Sequence, residues 1–138
     1  MNQEERCSYL QAVFANVAIA KTMGLELGYD ESGSARIAMP RDARFDHGMG
    51  DTHGGVFATL LDSAGWFTVA AVTGRSALTT NLNVYMLQPA KRGGVIASGA
   101  VQWAGRRAAV AEMQLRSASG ELLATGTASF ALGDELST

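Results

Sequence analysis

The sequence predicts an α+β fold in which an antiparallel sheet of about six strands encloses one long apolar helix. Three observations predict it. Val56 to Thr73 is an apolar run of eighteen residues holding a single charge, Asp62, the pattern of a helix buried on all sides. Most of the remaining chain divides into short segments that alternate apolar and polar residues between turn-forming clusters, the period of strands with one buried face. The strands do not alternate regularly with helices, so a parallel βαβ sheet is not predicted.

At 138 residues the chain is expected to form one domain, 1–138, with a core of its own. Only 17% of residues are charged and 47% are hydrophobic, a composition with little surface meant for water, which points towards an oligomer. A net charge of −2 leaves no basic excess for nucleic acid, and that class of partner is set aside. The single cysteine, Cys7, cannot form an internal disulfide, which fits a reducing compartment. The acidic start of the chain lacks the basic region of a secretory leader. Val56–Thr73 approaches membrane-spanning length, but Thr59, Asp62, Ser63, Gly65 and Thr68 interrupt it. A core helix, no membrane partner and a cytoplasmic location are therefore expected.

Each element has its own signal. In residues 4–22, Leu10, Val13, Phe14, Val17 and Ala18 recur at three- and four-residue spacing, predicting an N-terminal helix within 1–24 that stops at Gly24. Leu25–Tyr29 and Ala35–Met39 are short strands joined by the turn residues Asp30-Glu31-Ser32-Gly33. Pro40 to Thr52 has no period and reads as a loop leading to the central helix, which ends near Gly74. In 78–86, Leu78, Leu82, Val84 and Met86 share the apolar face, while Thr79, Asn81, Asn83 and Tyr85 take the other. Strands follow at Val95–Trp103, Ala109–Arg116 and Leu122–Leu132, and 133–138 is expected to fray.

The candidate chemistry gathers in His47-Gly48-Met49-Gly50-Asp51-Thr52-His53-Gly54-Gly55 and in Asp62. Two histidines and one distant cysteine do not make a zinc cluster. Walker loops and nucleophile elbows are absent. Gly54 and Gly55 sit where the first unpaired N–H groups of the helix point outward, at the positive end of its dipole. A carbonyl oxygen held there is stabilised as it becomes an oxyanion, by about 3–4 kcal/mol per donor; glycines serving only a tight turn are the structural alternative. Asp62 is a lone carboxylate in a buried helix, a costly placement that marks either a functional group or a structural hydrogen bond. His53 reads as orienting the start of the helix. His47, six residues earlier, either reaches the same carbonyl or serves the loop. Arg75, Lys91, Arg92, Arg106 and Arg107 fall at strand ends, as phosphate contacts or as solvated loop charge.

Gly54 and Asp62 are eight residues apart, about 12 Å along a helix axis. An oxyanion donor and a nucleophile or base must both lie about 3 Å from one reacting group. If both act, the carboxylate comes from a second copy of the chain running antiparallel across a two-fold axis. The expected assembly is a homodimer with two shared sites.

His53-Gly54-Gly55, with Asp62 seven residues beyond the second glycine, resembles the hotdog-fold thioesterases, and specifically the phenylacetate-degradation type of acyl-CoA thioesterase. Thr79 to Ala90, Gly105-Arg106 and Gly120 to Gly126 extend the resemblance over roughly residues 25–132. It implies a homodimer, often paired into a tetramer, that hydrolyses acyl-CoA thioesters without metal or cofactor, coenzyme A being part of the substrate. Carried over, the Gly54 N–H polarises the thioester carbonyl, and Asp62 of the other chain is nucleophile or general base. Thr79 assists it, and Asn81 with the bend Trp103 to Arg107, including Gly105 and Arg106, lies along the coenzyme A arm. One position departs from the family: where an asparagine is common six residues before the motif histidine, this chain has His47. Aryl- or medium-chain acyl thioesters are the expected substrates. The rivals are a non-catalytic acyl-CoA-binding protein and a hydratase or dehydratase of the same fold. The second fits less well because no proline follows either histidine before Pro89.

Overall fold

Helix α3, Gly54–Thr73, is the axis of the molecule. The computed structural model describes residues 1–137. Before α3 come helices α1 (Gln3–Phe14) and α2 (Ala18–Met23) and strands β1 (Glu26–Tyr29) and β2 (Ala35–Met39). After it come β3 (Arg75–Met86), β4 (Val95–Ala104), β5 (Ala108–Ser117) and β6 (Leu122–Glu135). The six strands form one antiparallel sheet in the order β1-β2-β4-β5-β6-β3. The expected α+β architecture is the observed one.

The helix is all but enclosed because its apolar residues run nearly all the way round. Phe57, Leu60, Leu61, Ala64, Phe67, Val69 and Ala70 are buried. By length and composition α3 could cross a membrane, yet 61% of its apolar window is buried inside this fold. The sheet approaches it closely through small residues, Ala97, Ala109, Ala111 and Ala128. At Gly99 an added Cβ would lie 2.7 Å from both the Ala64 carbonyl oxygen and the Thr68 hydroxyl, so only glycine fits. Thr68, the buried polar side chain here, is satisfied: its Oγ1 donates to the Ala64 carbonyl and accepts the Ala35 N–H. The C-terminal end of α3 is closed by Gly74 in the left-handed conformation (φ 71°) and by Arg6, whose Nε donates to the Ala71 carbonyl at 2.8 Å.

The termini depart from expectation. The N-terminal segment is two helices rather than one. Asn2 and Glu5 form a reciprocal capping box that starts α1 at Gln3. The break falls at Ala15–Val17, where the Asn16 amide donates to the Ala12 carbonyl and Val17 is extended (ψ 123°), asparagine competing for the helix backbone. At the other end, residues 133–135 do not fray. β3 begins at Arg75, ahead of the expected residue 78, so β6 has a partner for its last residues: Arg75 pairs with Glu135, and Leu136 N–H donates to the Gly74 carbonyl. Thr138 lies outside the described residues.

Candidate active site

Two groups of polar residues lie along α3, one at its N-terminus and one near its middle. At the N-terminus, His53 is the cap, extended at φ −62° and ψ 139°. Its Nδ1 accepts the Gly55 N–H at 2.8 Å, and its carbonyl accepts the Val56 N–H. This consumes the two donors that come directly after Gly54. Among the described residues nothing accepts the Gly54 N–H itself. One backbone donor at the positive end of a twenty-residue helix is thus left for a ligand.

His47 faces the same place. Its Nδ1 accepts the Met49 N–H at 3.1 Å, so the neutral ring carries its proton on Nε2. His47, Thr52, Gly54 and Phe57 form one side of an open cleft of about 310 Å³, and Met86, Leu87, Gln88 and Pro89 form the other. The Met86 thioether stands next to Gly54, its methyl 3.6 Å from where a Cβ on that glycine would be.

The second group is Asp62 with Thr79. The Thr79 hydroxyl donates to Asp62 Oδ1 at 2.8 Å. One turn further along α3, the Trp66 indole N–H donates to the Ala77 carbonyl at 2.8 Å, so both helix residues reach β3. Asp62 is half-buried and does not line the cleft at Gly54.

Thr79 reaches Asp62 because β3 does not keep one alternation. Its pairing with β6 slips between Thr79 and Asn81, a bulge that reverses the facing of the residues beyond it. Ala77, Leu82 and Val84 pack on the core, while Leu78 is 70% exposed. The expected division, with Leu78 inward and Thr79 and Asn81 sharing the other face, is therefore corrected. Thr79 faces the helix. Asn81 is exposed and accepts a hydrogen bond from the Asn83 amide at 2.6 Å.

Gly105, Arg106 and Arg107 form the β4–β5 turn, and Trp103 stands near the end of β4 beside it. The Trp103 ring covers Gly105, leaving no room for a side chain there. The Arg106 carbonyl accepts from the Arg75 guanidinium, and the Arg107 carbonyl accepts the Leu132 N–H. Because Arg75 directly follows α3, this turn sits at the far end of the helix from Gly54, a separation of about 30 Å for twenty residues. Within one chain the structure joins His47, His53, Gly54 and Gly55, and separately Asp62 and Thr79. It does not join those groups to each other or to Asn81 and the turn. Met86, Gln88 and Asp51 were missed by sequence reasoning, since their contacts cross from one strand end to a loop with no local pattern to announce them. Among the described residues no group of three or more His, Cys, Asp or Glu side chains is placed to hold a metal ion.

The sheet order and the single helix inside it define a hotdog-type α+β protein. Residues 49–124 match the family of the thioesterase superfamily, and the chain belongs to that superfamily, a class of thioester hydrolases. The Escherichia coli PaaI protein from the phenylacetic acid degradation operon superposes with a TM-score of 0.88 over 100% of both chains, at 20% identity. A Bacillus halodurans protein whose crystal structure contains CoA superposes at 0.80, with 25% identity over 97% of this chain and 90% of that one. A Halobacterium salinarum protein named as a candidate esterase is 29% identical over 119 residues, 81% of this chain and 78% of its own.

Proposed function

We propose that the chain is an acyl-CoA thioesterase of the cytoplasm, working without metal or organic cofactor on aryl- or medium-chain acyl thioesters, as a homodimer with two shared sites. The observation that carries this reading is the Asp62–Thr79 pair. It lies beneath β3, a twelve-residue edge strand of the sheet. The free side of an edge strand holds unpaired N–H and C=O groups. On β3 it comes with exposed Leu78, Tyr85 and Met86, which favours pairing with the β3 of a second copy. Antiparallel pairing sets the middle of one α3 beside the N-terminus of the other. The 12 Å between Gly54 and Asp62 then ceases to be an obstacle. Pairing of two such dimers into a homotetramer follows the same family pattern.

In the shared site, the Gly54 N–H and His47 Nε2–H of one chain donate to the thioester oxygen. Asp62 of the other chain, held by Thr79, drives the attack. As general base it takes a proton from water; the hydroxide adds to the carbonyl carbon, the C–S bond breaks, and the proton returns to the coenzyme A thiolate. As nucleophile its carboxylate oxygen adds to the carbonyl carbon and the C–S bond breaks, coenzyme A leaving as the thiolate and a mixed anhydride remaining. Water then opens the anhydride, regenerating Asp62 and releasing the acid, and the proton from water goes to the thiolate. Single-turnover labelling in heavy-oxygen water distinguishes these routes. The same antiparallel arrangement carries the partner's Trp103–Arg107 turn and Asn81 towards the Gly54 end, a path suited to the coenzyme A arm. The Bacillus halodurans relative solved with CoA supports that substrate class. Phe57, Met86 and Leu87 give the cleft an apolar lining fitted to an aryl or medium acyl group.

A panel of acyl-CoA thioesters, read by release of free coenzyme A, tests the assignment. Turnover highest with aryl or medium-chain substrates supports it. Tight binding with no release across the panel leaves the non-catalytic binding protein in its place.

A further inference from the structure

We propose that Asp51 is a positioning residue for this reaction: its carboxylate clasps the two walls of the Gly54 cleft and so fixes the thioester-binding end of the site. The inference rests on the thioesterase reading. The two walls come from distant parts of the chain, 47–57 and 86–89, and little else joins them at this end. Asp51 Oδ2 accepts the Lys91 N–H at 2.9 Å, and Oδ1 accepts the Arg92 N–H at 3.0 Å and the Thr52 N–H at 2.8 Å. Its carbonyl accepts the His47 N–H at 2.9 Å. A fifth bond spans the same gap in the same direction, from Arg92 Nε to the Gly50 carbonyl at 2.9 Å.

The far side of the clasp is an unusual turn. Among the described residues, Lys91 and Arg92 are the non-glycine residues with positive φ, 54° and 57°. This left-handed conformation is disfavoured for any residue with a Cβ, and two in succession persist only where surroundings hold them. What holds them is the carboxylate, on which both N–H groups converge. Burial pushes the Asp51 carboxyl up, but the Arg92, Thr52 and Lys91 N–H donors, with Arg41 nearby, bring it below the usual carboxylate range. The turn follows Pro89 and Ala90, next to the wall Met86–Pro89, which β6 itself anchors: Met86 pairs with Ala124, and the Leu87 and Gln88 N–H groups donate to the Leu123 carbonyl. Thr52 and His47, on the near side, line the cleft themselves. Releasing the carboxylate therefore unties the loop that carries His47 and Thr52 from the β6-anchored opposite wall and shifts His47 relative to the Gly54 N–H, without removing any group that touches substrate.

The test compares the full-length protein with Asp51→Ala and Asp51→Asn. It measures kcat and KM for an acyl-CoA thioester well below the melting temperature, together with amide hydrogen exchange over residues 47–56 and 89–94. Asp51→Ala is expected to lower kcat at least about tenfold with KM little changed, since misplacement by an ångström costs up to about a hundredfold. Exchange in both segments rises together. Asp51→Asn, which keeps one acceptor oxygen, falls between the two. A lower melting temperature with kcat retained overturns the proposal, as does unchanged exchange. Should the unaltered protein release no coenzyme A from any substrate, the functional reading fails by itself. The exchange measurement then still decides whether Asp51 joins the two walls.

Discussion

The Thr79 hydroxyl donates a hydrogen bond to the Asp62 carboxylate at 2.8 Å, across the gap between the central helix and an edge strand. The bond exists because the bulge after Thr79 turns that residue towards α3 while its neighbour Leu78 points away. It holds one carboxylate oxygen, Oδ1, and leaves Oδ2 for the attack proposed above. Asp62→Asn is expected to lose most hydrolysis with the fold intact, checked by coenzyme A release and circular dichroism. Thr79→Val should lower kcat about tenfold, the value of one hydrogen bond to a charged group, and Thr79→Ser should restore most of it. Equal activity in all four proteins would remove Asp62 from the reaction.

Gly54→Pro isolates the oxyanion donor. Gly54 is the first residue of α3 and the preceding His53 is already extended, the setting in which proline is accepted or favoured. The substitution deletes the N–H that, among the described residues, nothing accepts, and leaves the helix whole. The expected result is kcat lower by about 10²–10³ with an unchanged or higher melting temperature. Full activity would mean the carbonyl is polarised elsewhere.

His53→Ala should cost about 1 kcal/mol of stability through loss of the cap on Gly55 N–H. His53→Asn, whose side chain can accept the same N–H, should recover most of it. Urea unfolding measures both. A catalytic base at this position would instead abolish turnover in both variants.

Gly99→Ala tests the packing that brings the sheet onto α3. The new methyl meets the Ala64 carbonyl oxygen and Thr68 hydroxyl at 2.7 Å, and backbone on a core helix yields little. A loss of about 1–3 kcal/mol is expected, read as a lower urea midpoint with the slope preserved.

Much of this was legible in the sequence because its signals are local. The apolar run after Gly54, interrupted by Thr59, Asp62 and Ser63, read as a core helix, and β2, β4 and β5 alternate cleanly enough to place their faces. Asp62 and Gly54 stood out as a charge in an apolar run and as bare glycines at a helix start. The features that escaped notice depend on pairing. The bulge in β3 is a mismatch with β6, so the alternation through residues 78–86 put Leu78 in and Thr79 out, the reverse of the structure. Residues 133–135 read as a tail because their partner, the start of β3 at Arg75, lay ahead of the strand expected from residue 78. Asp51 gave no signal, since the two N–H groups it holds lie forty residues away.

The central claim is that each site takes its oxyanion donor from one chain and its carboxylate from another, and mixing two inactive variants tests it most directly. Gly54→Pro and Asp62→Asn chains are each expected to be inactive alone. Unfolded together in equal amounts and refolded, they should form mixed dimers in which one of the two sites has both an intact Gly54 and an intact Asp62. Random pairing then restores about a quarter of the unaltered protein's activity. Activity no greater than the sum of the two variants, with mixed dimers demonstrably present, would contradict the account and place the whole site within a single chain.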